Sequence, residues 1–365
     1  MSEAIPDWLR QPLLLEPYLR PMPWGGTRLA EWLGLPMPSE PVGEAWLVSD
    51  HPHHFSRILH TPQLRRADLG SSPDWTLRVL MQNWPQAILG YPAQRFPLLI
   101  KLIDARENLS VQVHPDDESA RFWAPQEGGK TEAWLVLQAE PNGKIYLGLK
   151  PGITREVLLR ELPLGTLPLC LNVYSAQVGQ CYFVPAGTAH ALGAGVCVLE
   201  VQQTSDATFR LYDWGRVDAH GKPRRLHIEA ALAVLRESTP QAGPCIPVLR
   251  ADGLEELVRC PYFAVYRLTV RGEYRVEAPA IVVALQHGLS ILGGQNPPTD
   301  SVHNNSGAAL TPSGRRGPPG LMSIPFAHAV LLPAVAGSAT LISDTTSQCC
   351  LITWPGTPPG EQFPG

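Results

Sequence analysis

Proline and glycine constrain this chain more than any other feature. In 365 residues there are 38 prolines and 32 glycines, spread along the whole length, so that short strand-like runs alternate with turns. Such punctuation is the pattern of a β-sandwich or barrel. With 44% hydrophobic and 17% charged residues, the chain can bury a sizeable core, and wholesale disorder is not expected. The net charge of −4, without a long basic run, argues against a nucleic-acid or anionic-membrane surface. A phosphorylated ligand would require a local basic cluster instead. The opening MSEAIPDWLRQPLLLEPYLR lacks the apolar centre of a signal peptide, and no apolar run approaches the roughly 18 residues of a membrane span. The seven cysteines (170, 181, 197, 245, 260, 349 and 350) show no CxxC spacing, so reduced, buried thiols in a cytoplasmic protein are expected.

Strand signals recur at FPLLIKLIDA, LSVQVHP, KTEAWLVL, GKIYLGL, QCYFVPAG, VCVLEVQQ and ATFRLYDWG. Helical patterns fall at Leu77–Leu89, at ITREVLLREL within a helical segment near 151–170, and at LHIEAALAVLR. ESTPQAGPCIP, 237–247, reads as a linker. The expected division is therefore a first domain over 1–240 and a second, β-rich domain over 241–365. The second carries a flexible, low-complexity loop at 293–320.

The chemistry concentrates in strands whose polar residues repeat at period two. In SVQVHPDD, Val111 and Val113 share one face, while Ser110, Gln112 and His114 share the other. GKTEAWLVL puts Lys130 and Glu132 on one face; a Pro-Ala-Gly turn delivers His190; SDATFR aligns Asp206, Thr208 and Arg210. Two imidazoles, a carboxylate and an amide oxygen suit a divalent metal, and their wide spacing suits ligands delivered by separate strands of a barrel. Taken singly, each piece has a plainer reading. His114 before a proline can be an ordinary hydrogen-bonded residue, PAGTAH only a turn, and Lys130 with Glu132 only an ion pair.

Taken together, FPLLIKLIDARENLSVQVHPDD, GKTEAWLVL, VPAGTAHALGAG and VLEVQQTSDATFRLYDWGR closely resemble the type I mannose-6-phosphate isomerases, nearest their shorter bacterial form. The resemblance covers roughly residues 20–236. It implies a mainly β fold: a cupin (jelly-roll) barrel, a small helical segment and a C-terminal cupin-like β domain. It also implies one Zn²⁺ held by Gln112, His114, Glu132 and His190. Arg210 stands where the family has its catalytic arginine, and Ser110 and Lys130 match positions of the substrate pocket. At the place of a frequent family tyrosine this chain has Leu192.

The implied reaction interconverts mannose 6-phosphate and fructose 6-phosphate through an enediolate, a proton being removed beside a carbonyl. A Lewis-acid metal and a fixed cation stabilise the charge that develops. Arg210 would stabilise or orient, Lys130 would shuttle the proton, Ser110 would help hold the phosphate, and Asp206 would act as base or orient Arg210. Two rivals stand beside this reading. Two histidines and a carboxylate also make the iron site of oxygenases, and a cupin can bind sugar phosphates without turnover.

Overall fold

The computed structural model describes residues 4–59, 75–217, 220–294 and 320–356. The chain divides into two compact units. One comprises Leu19–Trp46 and Leu98–Ile246; the other comprises Met1–Tyr18, Leu47–Pro97 and Pro247–Gly365. Sequence reasoning cut the chain once, near 240. Among the described residues, the contacts draw 4–18, 47–59 and 75–97 to the C-terminal strands, because patterning along a chain does not say which distant strand completes a sheet.

The first unit holds two β-sheets. Seven strands lie in the order Gly243–Pro244, Cys181–Val184, Glu132–Ala139, Val196–Gln203, Leu98–Ala105, Val42–Val48 and Tyr18–Gly26. Five lie in the order Leu171–Ser175, Lys144–Leu149, His190–Leu192, Val111–Val113 and Phe209–Tyr212. The sheets pack face to face: Ile103, Trp134, Val136, Tyr182 and Val198 of the larger meet Ile145, Leu147 and Leu192 of the smaller. This is the mainly β, cupin-like architecture that the family resemblance implies.

The smaller sheet is covered on its other face. Val111, Val113, Phe209 and Leu211 bury against Leu158, Ala231 and Val234 from the helices Arg155–Glu161 and Ile228–Val234. Both helices fall where periodicity placed them. The alternation in SVQVHP is thereby explained. Its valines face helices, and its polar residues face the space between the sheets.

Three local features go beyond what the pattern gives. Leu77–Leu89 forms two helices, Leu77–Asn83 and Pro85–Leu89, because Pro85 has no amide hydrogen to continue the first and starts the second. Asp117–Trp123 is helical although no apolar stripe announced it. Its signal is a capping box, in which the Asp116 carboxylate accepts from the Ser119 amide at 2.8 Å and the Ser119 hydroxyl accepts from the Asp116 amide. The supposed linker contributes an edge strand: Gly243 and Pro244 pair with Phe183 and Tyr182.

The second unit is built on a nine-stranded sheet. Leu13–Leu14, Ala329–Leu332, Ala280–Ala284, Ser338–Thr353, Ala264–Glu277, Glu255–Arg259 and Val248–Leu249 follow in order, and Leu289–Gly293 and Met322–Ile324 attach beside them. Most of the loop expected at 293–320 lies outside the described residues. Among the described residues, no helix is long and apolar enough to cross a membrane.

Candidate active site

His114 stands at the end of the strand Val111–Val113, and His190 begins its antiparallel neighbour, where it pairs with Gln112. On the other side of Val111–Val113, Arg210 pairs with the same Gln112. The pairing thus brings four expected site residues onto three adjacent strands. Glu132 starts a strand of the facing sheet. The turn before His190 depends on Gly187, whose φ of +83° suits glycine and whose added Cβ would lie 2.7 Å from Arg236 Cγ. The Gly187 amide also donates to the His114 carbonyl at 2.8 Å, which ties this turn to the other histidine.

His114 Nδ1 donates to the Ala207 carbonyl at 2.7 Å, and His190 Nδ1 to the Thr188 carbonyl at 2.9 Å. A proton fixed on Nδ1 leaves the Nε2 lone pair of each ring free. Both Nε2 atoms aim at Glu132, at 3.5 Å from Oε2 and 3.3 Å from Oε1. Among the described residues, His114, Glu132 and His190 form a grouping whose ligand atoms all lie within 4.8 Å of one another. Glu132 is fully buried, and its Oε1 has no hydrogen-bond partner. A buried carboxylate oxygen is costly in that state. The donor set therefore fits a divalent metal. The Gln112 amide completes the ring of donors, with Nε2 3.5 Å from His114 Nε2 and 3.3 Å from His190 Nε2. A half-turn of that amide presents its oxygen instead.

Lys130 belongs to the same cluster. Its Nζ donates to Glu132 Oε2 at 2.7 Å and to His114 Nε2 at 3.0 Å. Burial, then the charge of Lys130, hold the His114 pKa well below that of a free imidazole. Burial is also the main cause that lowers His190, to about 4, with Lys130 adding to it against the Thr188 bond. Both rings are thus neutral at pH 7, the form that binds metal.

The same burial makes an acid-stability prediction for the metal-free protein. An unfolded histidine takes up its proton near pH 6.5, whereas folded His190 does so near 4. Between these values the unfolded chain binds the extra proton, so stability falls as pH falls, by up to about 1.4 kcal/mol per pH unit for each such ring. Urea midpoints of chelator-treated protein at pH 7, 6 and 5 are expected to decline steadily. A flat profile would contradict neutral, buried rings.

A cleft of about 180 Å³ opens onto this cluster, lined by Ser110, Gln112, Lys130, Asp206 and Arg210 among others. Ser110 donates to Gln112 Oε1 at 3.3 Å. Arg210 donates through Nη1 to the Arg225 carbonyl at 2.9 Å, while its buried Nε has no partner. Asp206 was expected beside Arg210. Its carboxylate is held by Arg20 at 3.0 Å and Lys101 at 3.9 Å. Burial would raise its pKa, but Lys101, Arg20 and Lys130 outweigh that and keep it lowered.

Sequence reasoning missed a second charged cluster on the cleft wall. Lys101 is 2% exposed. Its Nζ lies 3.7 Å from Glu44, 3.6 Å from Glu200 and 5.1 Å above the ring of Trp46. Indole hydrogens hold both carboxylates: Trp46 Nε1 donates to Glu44 at 2.7 Å and Trp134 Nε1 to Glu200 at 2.8 Å. A signal was available. FPLLIKLI, VGEAWLV and VCVLEV each carry a single charge amid apolar residues, and a lone charge in a buried strand calls for a partner.

A family model described as the catalytic domain of type I phosphomannose isomerase matches residues 13–141. A probable mannose-6-phosphate isomerase of Bacillus subtilis, GmuF, is 36% identical over 269 residues, 72% of this chain and 81% of that protein. The mannose-6-phosphate isomerase of Streptococcus mutans is 35% identical over 286 residues, 77% and 86% of the two chains. The crystal structure of a mannose 6-phosphate isomerase from Bacillus subtilis superimposes with a TM-score of 0.75 at 28% identity, over 94% of this chain and 99% of the other. With identity above 30% over most of both chains and the same architecture throughout, the chain belongs to the type I mannose-6-phosphate (phosphomannose) isomerase family.

Proposed function

We propose that this chain interconverts mannose 6-phosphate and fructose 6-phosphate in the cleft described, with one Zn²⁺ held by His114, Glu132, His190 and the amide oxygen of Gln112. The observation that carries the reading is a buried carboxylate set between two imidazoles whose lone pairs converge on it. Imidazole nitrogen and carboxylate oxygen are zinc donors, and zinc is redox-inactive, as a reaction without net oxidation requires. Bound there, such a metal supplies Lewis acidity where negative charge develops on the C1 and C2 oxygens.

The protein's own groups account for the rest. Isomerisation takes the proton from C2 of mannose 6-phosphate and returns it to C1, while the hydroxyl proton passes from O2 to O1. Lys130 is the proton-carrying group best placed for this, because its amine reaches the ligand cluster and lines the cleft. Asp206 fits the role of base poorly, since Lys101 and Arg20 engage its carboxylate and lower its affinity for a proton. It serves with Glu44 and Glu200 to hold Lys101 in the cleft wall. Arg210 carries positive charge on the strand next to Gln112, with donors suited to an oxyanion.

The test is a coupled assay of mannose 6-phosphate conversion on purified protein, on chelator-stripped protein and on stripped protein supplied with zinc. Activity is expected to vanish and return. Sugar-phosphate binding without turnover would favour a binding module instead, and bound iron with oxygen uptake would favour an oxygenase.

A further inference from the structure

The two ends of the cleft differ in charge. At one end Lys101 and Arg20 face three carboxylates, those of Glu44, Glu200 and Asp206, while Lys130 is matched by Glu132. Among the described residues the Lys101 cluster therefore uses its own cations on its own carboxylates, and offers a phosphate dianion no excess of positive charge. At the other end three arginines gather. Arg216 and Arg224 both bind Asp213, and the field of Asp213 also reaches Arg210. Glu107, on the outer side, adds one exposed carboxylate 3.8 Å from Arg216. Cations are in excess at this end.

The strand register says where the arginines lie. Arg210 pairs with Gln112 and Tyr212 with Val111, so passing from Arg210 to Asp213 runs along the neighbouring strand from Gln112 towards Ser110. Farther on, Trp214 Nε1 donates to the Leu109 carbonyl and Arg216 to that of Asn108, each at 2.6 Å. This direction leads away from His114. A hexose phosphate with C1 and C2 at the ligand cluster thus extends its phosphate towards Ser110 and the arginines. Arg224 lines the cleft there and is held in one orientation by Asp213, which is 6% exposed and accepts from both Nε, at 2.7 Å, and Nη2.

We propose that Arg224 determines specificity for the phosphate: fixed by Asp213 and acting beside Arg210 and Ser110, it receives the phosphate of the substrate, and Asp213 is its positioning residue. The proposal rests on the hexose-phosphate reading above. The dianion carries about −1.5 to −2 charges at neutral pH, and a planar guanidinium fork matches its oxygens. A free hexose lacks the group that this end of the cleft would hold.

The experiment compares the parent holoenzyme with Arg224→Gln and Asp213→Asn. Two quantities are read: steady-state kinetics on mannose 6-phosphate, and calorimetric titration with inorganic phosphate. Loss of one charge-assisted contact is expected to raise KM about 10- to 100-fold, with kcat changed by less than about threefold, and to weaken inorganic phosphate comparably. Asp213→Asn is expected to move both in the same direction. If Arg224→Gln melts below the assay temperature, Arg224→Lys replaces it, because it keeps the charge while losing the fork, and an intermediate KM is expected. An unchanged KM and phosphate affinity in the Arg224 variant, or a fall in kcat with KM unmoved, would overturn the assignment. Parental behaviour of Asp213→Asn would remove its positioning role. A parent that fails to turn over mannose 6-phosphate defeats the proposed reaction, while the phosphate titration still reads the arginine site independently.

Discussion

A His190→Ala protein is expected to purify with less than about a tenth of an equivalent of metal, and to turn over mannose 6-phosphate at least about 10³-fold more slowly than the parent. The expectation follows from how few donors there are. Glu132 and two rings supply the converging ligand atoms, and removing His190 leaves one ring, one carboxylate and the Gln112 amide. The loss also strips the Thr188 carbonyl of its donor and removes a ring that packs against Trp134 at 5.4 Å between centroids. Thermal melts must therefore accompany the metal analysis, so that a collapsed fold is not mistaken for a lost ligand. A folded variant that keeps a full equivalent of metal would exclude His190 from the ligand set.

Arg210→Ala should separate chemistry from metal binding. Turnover is expected to fall about 10²- to 10³-fold, the usual cost of removing a fixed donor from developing negative charge, while metal content stays full. Arg210 touches none of the converging ligand atoms directly. It pairs through backbone with Gln112, and its Nη1 is anchored on the Arg225 carbonyl. Because backbone pairing survives truncation of a side chain, the ligands should hold their positions. Lysine at 210 restores charge but not the fork, so partial recovery is expected. Parental turnover would end the catalytic assignment, and loss of metal would turn Arg210 into a structural residue. The signature differs from that at Arg224, where KM rather than kcat should move.

Much of the ligand cluster was legible because alternation in a strand reports which side chains share a face. Ser110, Gln112 and His114 shared one by sequence, and the burial of Val111 and Val113 against helices shows why they must. The Pro-Ala-Gly turn before His190 and the Lys130–Glu132 pair were equally visible. The partners of Asp206 were not. Its nearness to Arg210 in sequence suggested a contact, whereas Lys101 and Arg20 reach it from other strands. Ion pairs between strands obey register and sheet order, and one sequence does not reveal either. The Lys101 cluster escaped for the same reason, although each lone charge in an apolar run was itself a warning. The helix Asp117–Trp123 was hidden differently, since its only core residue is Ala120 and its cap carries the signal.

The interleaving of segments has a consequence for biosynthesis. The unit that holds the ligand cluster is complete once Ile246 has been made, because every strand of its two sheets lies before that point. The other unit contains residues 4–18, and there Leu13 and Leu14 pair with Leu331 and Val330. During synthesis, therefore, Leu13 and Leu14 leave the ribosome well before the strand that pairs with them. Residues 47–59 and 75–97 must likewise wait for strands that have yet to be translated.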